Sequence, residues 1–278
     1  MLRAAHFQIP WRILKETVRK FSSVNGLFLA SGLAFDVLLN CIPLLFLIVS
    51  AAGYTLAGSE RAVSGVQAVL EQLLPGFRQA IADNLSAMTA NRNRFGLVGF
   101  ALFFIFSTAT FGSVRTVLNT LFEVSRPRGL LAGKGIDFLM MLAAAALFVT
   151  TIGISSLLAI AWNIGGRLPF LRPFLEPGWA AASQILGFLF TVALFYMLYR
   201  YCPARGLGGR ALWAASLAGA VLFELSKWVF TGYVSSAQAY VLLYGTLSGF
   251  LFFFLWIYYA SVVFIFAATF GWVLQRRS

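Results

Sequence analysis

The sequence predicts an all-α, polytopic membrane protein with six transmembrane helices and further amphipathic helices at the membrane interface. Of its 278 residues, 60% are hydrophobic and 11% are charged, and the mean hydropathy is +0.84. Soluble domains are about 45–50% apolar and about 25% charged, so a soluble protein of this length would need far more polar surface. Six apolar runs also reach the roughly 20 residues that a helix needs to cross a bilayer.

The six predicted spans define one membrane domain over residues 1–278. The first and last spans are longer than the hydrocarbon layer requires, so we expect tilted helices or protruding ends. In chain order the spans cover about 28–56, 95–118, 136–163, 180–201, 211–233 and 241–273.

The first 26 residues form a basic arm ahead of the first span. Apolar residues at helical spacing, such as Trp11, Leu14 and Val18, alternate with arginine and lysine. This pattern is typical of a basic helix that lies on an anionic membrane surface.

Residues 58–94 form a second segment outside the spans, between the first two of them. Its apolar residues recur every three or four positions and charged residues fill the other face, which predicts amphipathic helices interrupted near Pro75 and Gly76. We expect these helices on the extracytoplasmic side, where they lie on the membrane or cap the bundle.

The distribution of basic residues predicts the orientation. With the N-terminus inside, the cytoplasmic segments hold thirteen Lys and Arg residues and the outer segments hold six. Cytoplasmic loops collect positive charge, and an even number of spans then leaves both termini in the cytoplasm.

The net charge of +12 would suggest nucleic acid as the partner of a soluble protein. In a membrane protein the positive-inside bias explains it, so the expected partners are membrane lipids, anionic headgroups among them, and no nucleic acid. Cys41, Cys202 and His6 cannot supply a disulfide framework or a metal cluster. No phosphate-binding glycine loop, HExxH motif or nucleophile elbow occurs, so we expect no cofactor, no metal, no catalytic residue and no enzyme activity.

Polar residues inside the predicted spans are the candidate site, because such residues usually face a bundle interior or a wet cavity. Residues three or four apart share a helix face, and the candidates come in such sets. They are Asp36, Asn40 and Pro43 in the first span, Arg115 and Asn119 in the second, and Glu224 and Lys227 in the fifth.

Two interpretations of these residues remain open. In the first they pair and hold helices together, with Arg115 extending to the interface. In the second they line a pathway for an ion or a lipid headgroup. Glu224 and Lys227 can neutralise one another locally and are expected to meet Asp36 or Arg115 across the bundle.

Four segments carry a resemblance to a known family. The first has a proline followed by leucines, the second an asparagine near the end of a span, the third a proline loop and the Glu-Lys span, and the fourth a Tyr-Gly start. They are "LAFDVLLNCIPLLFLIVS" (Leu33–Ser50), "VRTVLNTLFEV" (Val114–Val124), "YRYCPARGLGGRALWAASLAGAVLFELSKWVFTGYV" (Tyr199–Val234) and "YGTLSGFLFFFLWIYYASVVFIFAATF" (Tyr244–Phe270). In this order they resemble the YihY/BrkB family of bacterial inner-membrane proteins, once described as ribonuclease BN.

The resemblance implies a six-helix inner-membrane protein linked to envelope integrity or virulence. It also implies a role in lipid or envelope-precursor transport or in ion exchange. We expect a transporter or flux facilitator for a lipid or other amphipathic envelope component, and the alternatives are a proton- or sodium-coupled exchanger and a non-transporting scaffold. A ribonuclease is not expected, because the basic residues lie at the membrane boundary. The sequence departs from the family pattern at Asp36, where an aromatic residue is usual, at Leu251, where proline is common, and at Thr269, which replaces a glutamate.

The orientation is tested by cysteine labelling in a variant without the native cysteines. Ser86→Cys lies in the predicted outer segment, so an impermeant thiol reagent added outside intact cells should label it. Ser125→Cys lies in a predicted cytoplasmic loop and is the matched control, which should react only after the membrane is opened. The opposite pattern would reverse the orientation.

Overall fold

The computed structural model describes residues 2–55, 92–165, 172–236 and 247–277, and in these ranges the backbone forms seven helices and no strand. Six of them, α2 to α7, are long and apolar enough to cross a membrane. The prediction of an all-α fold with six spans is therefore confirmed. The helices are α1 (Leu2–Ser23), α2 (Gly26–Thr55), α3 (Arg92–Leu121), α4 (Leu130–Gly165), α5 (Arg172–Tyr201), α6 (Gly209–Ser236) and α7 (Leu247–Arg277).

Several helices extend beyond the predicted spans. Helix α4 begins at Leu130 rather than near 136, and α5 begins at Arg172 rather than near 180. Hydropathy detects only the part of a helix that is apolar enough for the hydrocarbon layer, so charged or proline-containing first turns are missed. The predicted amphipathic segment 58–94 lies outside the described residues, except for its last three, which begin α3.

The ends of α1 and α3 have left-handed residues that are not glycine. Asn25 follows α1 with a φ of 52°, and Glu123 follows α3 with the same φ. After α3 the amide of Glu123 donates to the carbonyl of Thr120, and the amide of Val124 donates to that of Asn119. This is the Schellman arrangement that satisfies the last carbonyls of a helix, and its left-handed position is usually glycine.

The chain divides into two compact units. Unit 1 consists of Met1–Gly26, Val114–Leu225 and Val263–Ser278, and unit 2 consists of Leu27–Ser113 and Ser226–Val262. The single membrane domain expected from the sequence stays a prediction.

Unit 1 has an aromatic core between α5 and α7. The fully buried Tyr199 donates a hydrogen bond of 2.8 Å from its hydroxyl to the carbonyl of Phe264. The ring of Phe195 lies 5.7 Å from that of Tyr199 and 5.5 Å from that of Phe264. Buried tyrosine needs a partner for its hydroxyl, and here that partner fixes α5 against α7.

Small residues allow α6 and α7 to approach closely within unit 1. A methyl group built on Gly271 of α7 would lie 2.6 Å from the Cβ of Ala215 and 2.5 Å from a methyl group of Leu207. Ala215, on α6, is fully buried. Packing of this kind, with small residues at the crossing, is how membrane helices associate without a hydrophobic driving force.

Substitution of Gly271 by alanine should therefore lower the stability of the protein, since overpacking of a tight contact costs about 1–3 kcal/mol. Gly187→Ala on α5 is the matched control, because a methyl group there meets nothing within 4 Å and helix propensity favours alanine over glycine by about 0.8–1 kcal/mol. Thermal unfolding in detergent should show a lower midpoint for Gly271→Ala and an equal or higher one for Gly187→Ala. Equal midpoints for the two variants would contradict close packing at Gly271.

Candidate functional site

The polar residues predicted in the first span contact α3 inside unit 2. The side-chain oxygen of Asn40 accepts a hydrogen bond of 3.1 Å from the hydroxyl of Ser107, and the hydroxyl of Thr110 donates to the backbone carbonyl of Asp36 at 3.2 Å. The Asp36 side chain is half-buried and Pro43 is fully buried. Sequence analysis missed Ser107 and Thr110, because single hydroxyls are common in membrane helices and are satisfied by their own backbone.

Glu224 and Lys227 lie on the same side of α6, one turn apart. Glu224 is half-buried, whereas Lys227 is exposed. The neighbouring apolar side chains Leu225, Trp228 and Val229 are 56%, 80% and 67% exposed. At 1.5 Å per residue, Lys227 lies about 13 Å before Ser236, the last described residue of α6. That Asp36, Asn40, Glu224 and Lys227 face a bundle interior stays a prediction.

Arg115 forms a buried ion pair with Asp137 of α4. Its Nε donates to Oδ1 of Asp137 at 2.7 Å, and its Nη2 donates to Oδ2 at 3.1 Å, so both carboxylate oxygens are bound. The Asp137 side chain is fully buried and that of Arg115 is 16% exposed. Gly133 makes room for the guanidinium, because a methyl group at this glycine would lie 2.9 Å from the Cζ of Arg115.

Sequence analysis singled out Arg115 and missed Asp137. The sequence did indicate this pair, since an arginine within a span requires a counter-ion. Asp137 lies at the start of the next span, after a short connection. The carboxylate was overlooked because it lies at the very start of the predicted span, where charged residues are ordinary. A bidentate pair of this kind fixes orientation as well as charge.

Asn119 and Arg128 hold the connection between α5 and α6. The side-chain oxygen of Asn119 accepts from the amide of Ala204 at 2.8 Å, and Nη1 of Arg128 donates to the carbonyl of Cys202 at 2.9 Å. Burial raises the pKa of the Cys202 thiol to about 12. The thiolate is the reactive form of cysteine, so Cys202 is structural at neutral pH.

Glu123 connects three segments of unit 1. Its Oε1 accepts a hydrogen bond of 2.6 Å from Nζ of Lys20 on α1, and its Oε2 accepts one of 2.8 Å from Nη2 of Arg276 on α7. A left-handed conformation costs a residue with a side chain about 1–2 kcal/mol, and strained residues persist where the structure requires them. At position 123 the ion pairs of the carboxylate therefore outweigh the backbone strain that glycine would avoid.

Trp272 orders the two cations that bind Glu123. The Nζ of Lys20 lies 4.3 Å from the centre of a Trp272 ring, and the Cζ of Arg276 lies 4.2 Å from one. Cations above an indole face are attracted by its negative charge density. Sequence analysis did not identify this cluster.

A second ion pair joins the same two helices. Arg277 of α7 donates from Nε and Nη2 to the two carboxylate oxygens of Glu16 on α1. The hydrogen bond from Arg277 lowers the pKa of Glu16, and that from Lys20 lowers the pKa of Glu123. Both ion pairs are therefore fully formed at a pH above 4.5, the ordinary pKa of a glutamate carboxyl. They are lost as the pH falls through the lowered pKa values of Glu16 and Glu123.

Two crevices open beside this cluster. The larger, of about 440 Å³, lies between α1 and α7 and is lined by Glu16, Arg19, Lys20, Ser23, Glu123, Trp272, Val273, Arg276 and Arg277. The smaller, of about 220 Å³, is lined by Phe122, Glu123, Arg205, Gly206, Leu207, Trp272, Gln275 and Arg276. Among the described residues, no group of three or more His, Cys, Asp or Glu side chains could hold a metal ion.

Comparison with known proteins gives the family. The sequence profile of the family described as Virulence factor BrkB matches residues 17–278. The chain belongs to the BrkB family. The resemblance inferred from the four segments is thus confirmed.

Several curated relatives of this chain are named as membrane proteins. A UPF0761 membrane protein of Chlorobium phaeobacteroides is 29% identical over 90% of this chain and 54% of its own length. That of Pelodictyon phaeoclathratiforme is 26% identical over 90% of this chain and 57% of its own length, and that of Pseudoalteromonas atlantica is 22% identical over 90% and 82%.

The chain therefore spans little more than half the length of the first two relatives. None of these names states an enzymatic activity or a transported substrate. No solved structure matches the chain.

Substitution of Glu123 by glycine should release α1 without destabilising the end of α3. Glycine suits the left-handed position but removes the carboxylate that binds Lys20 and Arg276. Hydrogen exchange should increase in α1, while the unfolding midpoint changes little. Asn25→Gly is the control, because it relieves the same backbone conformation and removes no carboxylate. Exchange in α1 that is unchanged by Glu123→Gly would show that Glu123 does not hold this helix.

Proposed function

We propose that this BrkB-family protein is a passive flux facilitator that allows an anionic amphipathic molecule, a phospholipid or a related envelope lipid, to cross the bacterial cytoplasmic membrane. Both termini lie in the cytoplasm in this proposal. The observation that carries it is the exposed residue Lys227 among exposed apolar side chains of α6.

The cost of a charge in a span supports a role for Lys227. A lysine at the centre of a membrane helix costs about 2.5–3.5 kcal/mol on insertion scales, and charged residues in spans usually mark substrate or ion pathways. Glu224, one turn away, reduces this cost by local pairing. Packing alone does not require two opposite charges at this depth.

The surroundings of Lys227 suit a lipid rather than a small ion. A phosphate headgroup that moves along α6 can pair with the ammonium part-way across, while its acyl chains stay against Leu225, Trp228 and Val229. Charge-assisted hydrogen bonds to phosphate are roughly twice as strong as neutral ones, so this contact lowers the barrier for the headgroup. The sequence contains no phosphate-binding glycine loop that would couple transport to nucleotide hydrolysis.

Purified protein in liposomes tests the proposal. Fluorescent phospholipids in the inner leaflet should become accessible to an external quencher without an ion gradient. Lys227→Met should slow this movement about tenfold, the effect of losing about 1.4 kcal/mol at the barrier. Glu224→Gln should also slow it, because an ammonium without its carboxylate retains the headgroup longer.

Lys134→Met is the matched control. Lys134 is also an exposed lysine of a membrane helix, but it lies in the first turns of α4, ahead of the predicted span, so transport should be unaffected. Thermal unfolding in detergent checks that each variant folds. Unchanged lipid movement in a stable Lys227→Met protein would reject the role of Lys227. Proton or sodium flux without lipid movement would favour the exchanger, and the absence of both would favour the scaffold.

A further inference from the structure

The larger crevice between α1 and α7 carries an excess of positive charge. Arg19, Lys20, Arg276 and Arg277 line it together with the carboxylates of Glu16 and Glu123 and the hydroxyl-bearing Ser23. Its volume of about 440 Å³ falls in the range of about 300–1,000 Å³ that is usual for small-molecule sites. The described contacts make both carboxylates part of ion pairs.

The crevice opens on the polar side of α1. Glu16, Arg19 and Ser23 lie on the helix face turned away from the exposed apolar residues Leu14 and Val18, as 100° per residue places them. If the apolar face rests on the membrane, the crevice faces the adjoining water layer. Anions that are dissolved there, and headgroups that project into it, can both reach the arginines.

The existing ion pairs are weak enough to exchange. The side chains of Glu16 and Glu123 are 50% and 46% exposed, and exposed ion pairs contribute little to stability because water screens them. A phosphate group offers at least two charged acceptor oxygens, two in a phospholipid diester and more in inorganic phosphate, and binds arginine in the same bidentate geometry as a carboxylate. The carboxylates thus occupy positions that a phosphate can take over.

Trp272 makes the crevice a built site rather than a loose collection of charges. It holds the Lys20 ammonium and the Arg276 guanidinium at 4.3 Å and 4.2 Å from its ring centres. Only 13% of the Lys20 side chain is exposed. Cations that are already ordered lose less conformational entropy when a ligand binds.

We infer that the crevice between α1 and α7 binds a phosphate group, carried either by an anionic phospholipid or by a soluble phosphate. The site goes beyond the proposed transport, since it lies at the helix ends, does not include Lys227, and is detected by equilibrium binding. Failure of one proposal therefore leaves the other intact.

The test measures thermal unfolding of the protein in phosphatidylcholine nanodiscs. One arm replaces part of the phosphatidylcholine by phosphatidylglycerol, and the other adds inorganic phosphate to phosphatidylcholine nanodiscs at constant ionic strength. A ligand that binds the folded protein raises the unfolding midpoint. A rise in the first arm identifies a lipid headgroup, and a rise in the second identifies a soluble phosphate.

Two substitutions with opposite expected effects make the test specific. Arg19→Gln removes an exposed cation of the crevice and should weaken apparent binding roughly two- to fivefold, as expected for one exposed charge contact. Glu16→Gln removes the carboxylate that competes for Arg277 and should strengthen binding by a similar factor. Lys134→Gln removes an exposed cation elsewhere on unit 1 and should leave binding unchanged.

The proposal is overturned if neither ligand raises the midpoint. It is also overturned if Arg19→Gln, Glu16→Gln and Lys134→Gln all respond as the parent protein does, because the rise would then reflect general charge screening. Since Arg19 and Glu16 are exposed, these variants leave the buried residues of α1 unchanged and should fold.

Discussion

The buried ion pair between Arg115 and Asp137 governs the arrangement of helix ends in unit 1, because neither charge can remain there without the other. Removing one member of such a pair typically costs about 3–5 kcal/mol, since it leaves a buried charge uncompensated. The pair fixes the start of α4 against the end of α3. Asn119 and Glu123 follow Arg115 at intervals of four residues, so one stripe of three polar groups runs along the end of α3 and into the turn after it.

Each group of this stripe binds a different part of unit 1. Arg115 binds α4, Asn119 binds the connection before α6, and Glu123 binds α1 and α7. Within a membrane the helices gain little from hydrophobic association, so directional polar contacts and close small-residue packing decide which ends meet. The stripe is thus the organising element of this unit, and the crevice is the space it leaves beside Trp272.

Hydropathy was sufficient to predict the six spans, and four sequence segments carried the resemblance to the family. The residues that make the polar contacts were singled out only in part. Arg115 and Asn119 stood out because a charge or an amide in an apolar run is conspicuous. Asp137 and Glu123 did not, because they lie at helix ends, where charged residues are ordinary. Their partners, such as Lys20 and Arg276, are separated from them by long stretches of sequence, and only the tertiary structure brings them together.

The left-handed backbone of Glu123 has an evolutionary consequence. A mutation to glycine at this position would ease the backbone, yet it would leave Lys20 and Arg276 beside the same indole with no shared anion. A mutation of Lys20 or Arg276 would leave Glu123 in its strained conformation with only one of its two cations. Lys20, Glu123 and Arg276 are distant in the chain, but a substitution at one of them carries a penalty unless the other two also change. Each position therefore restrains which residues the other two can accept.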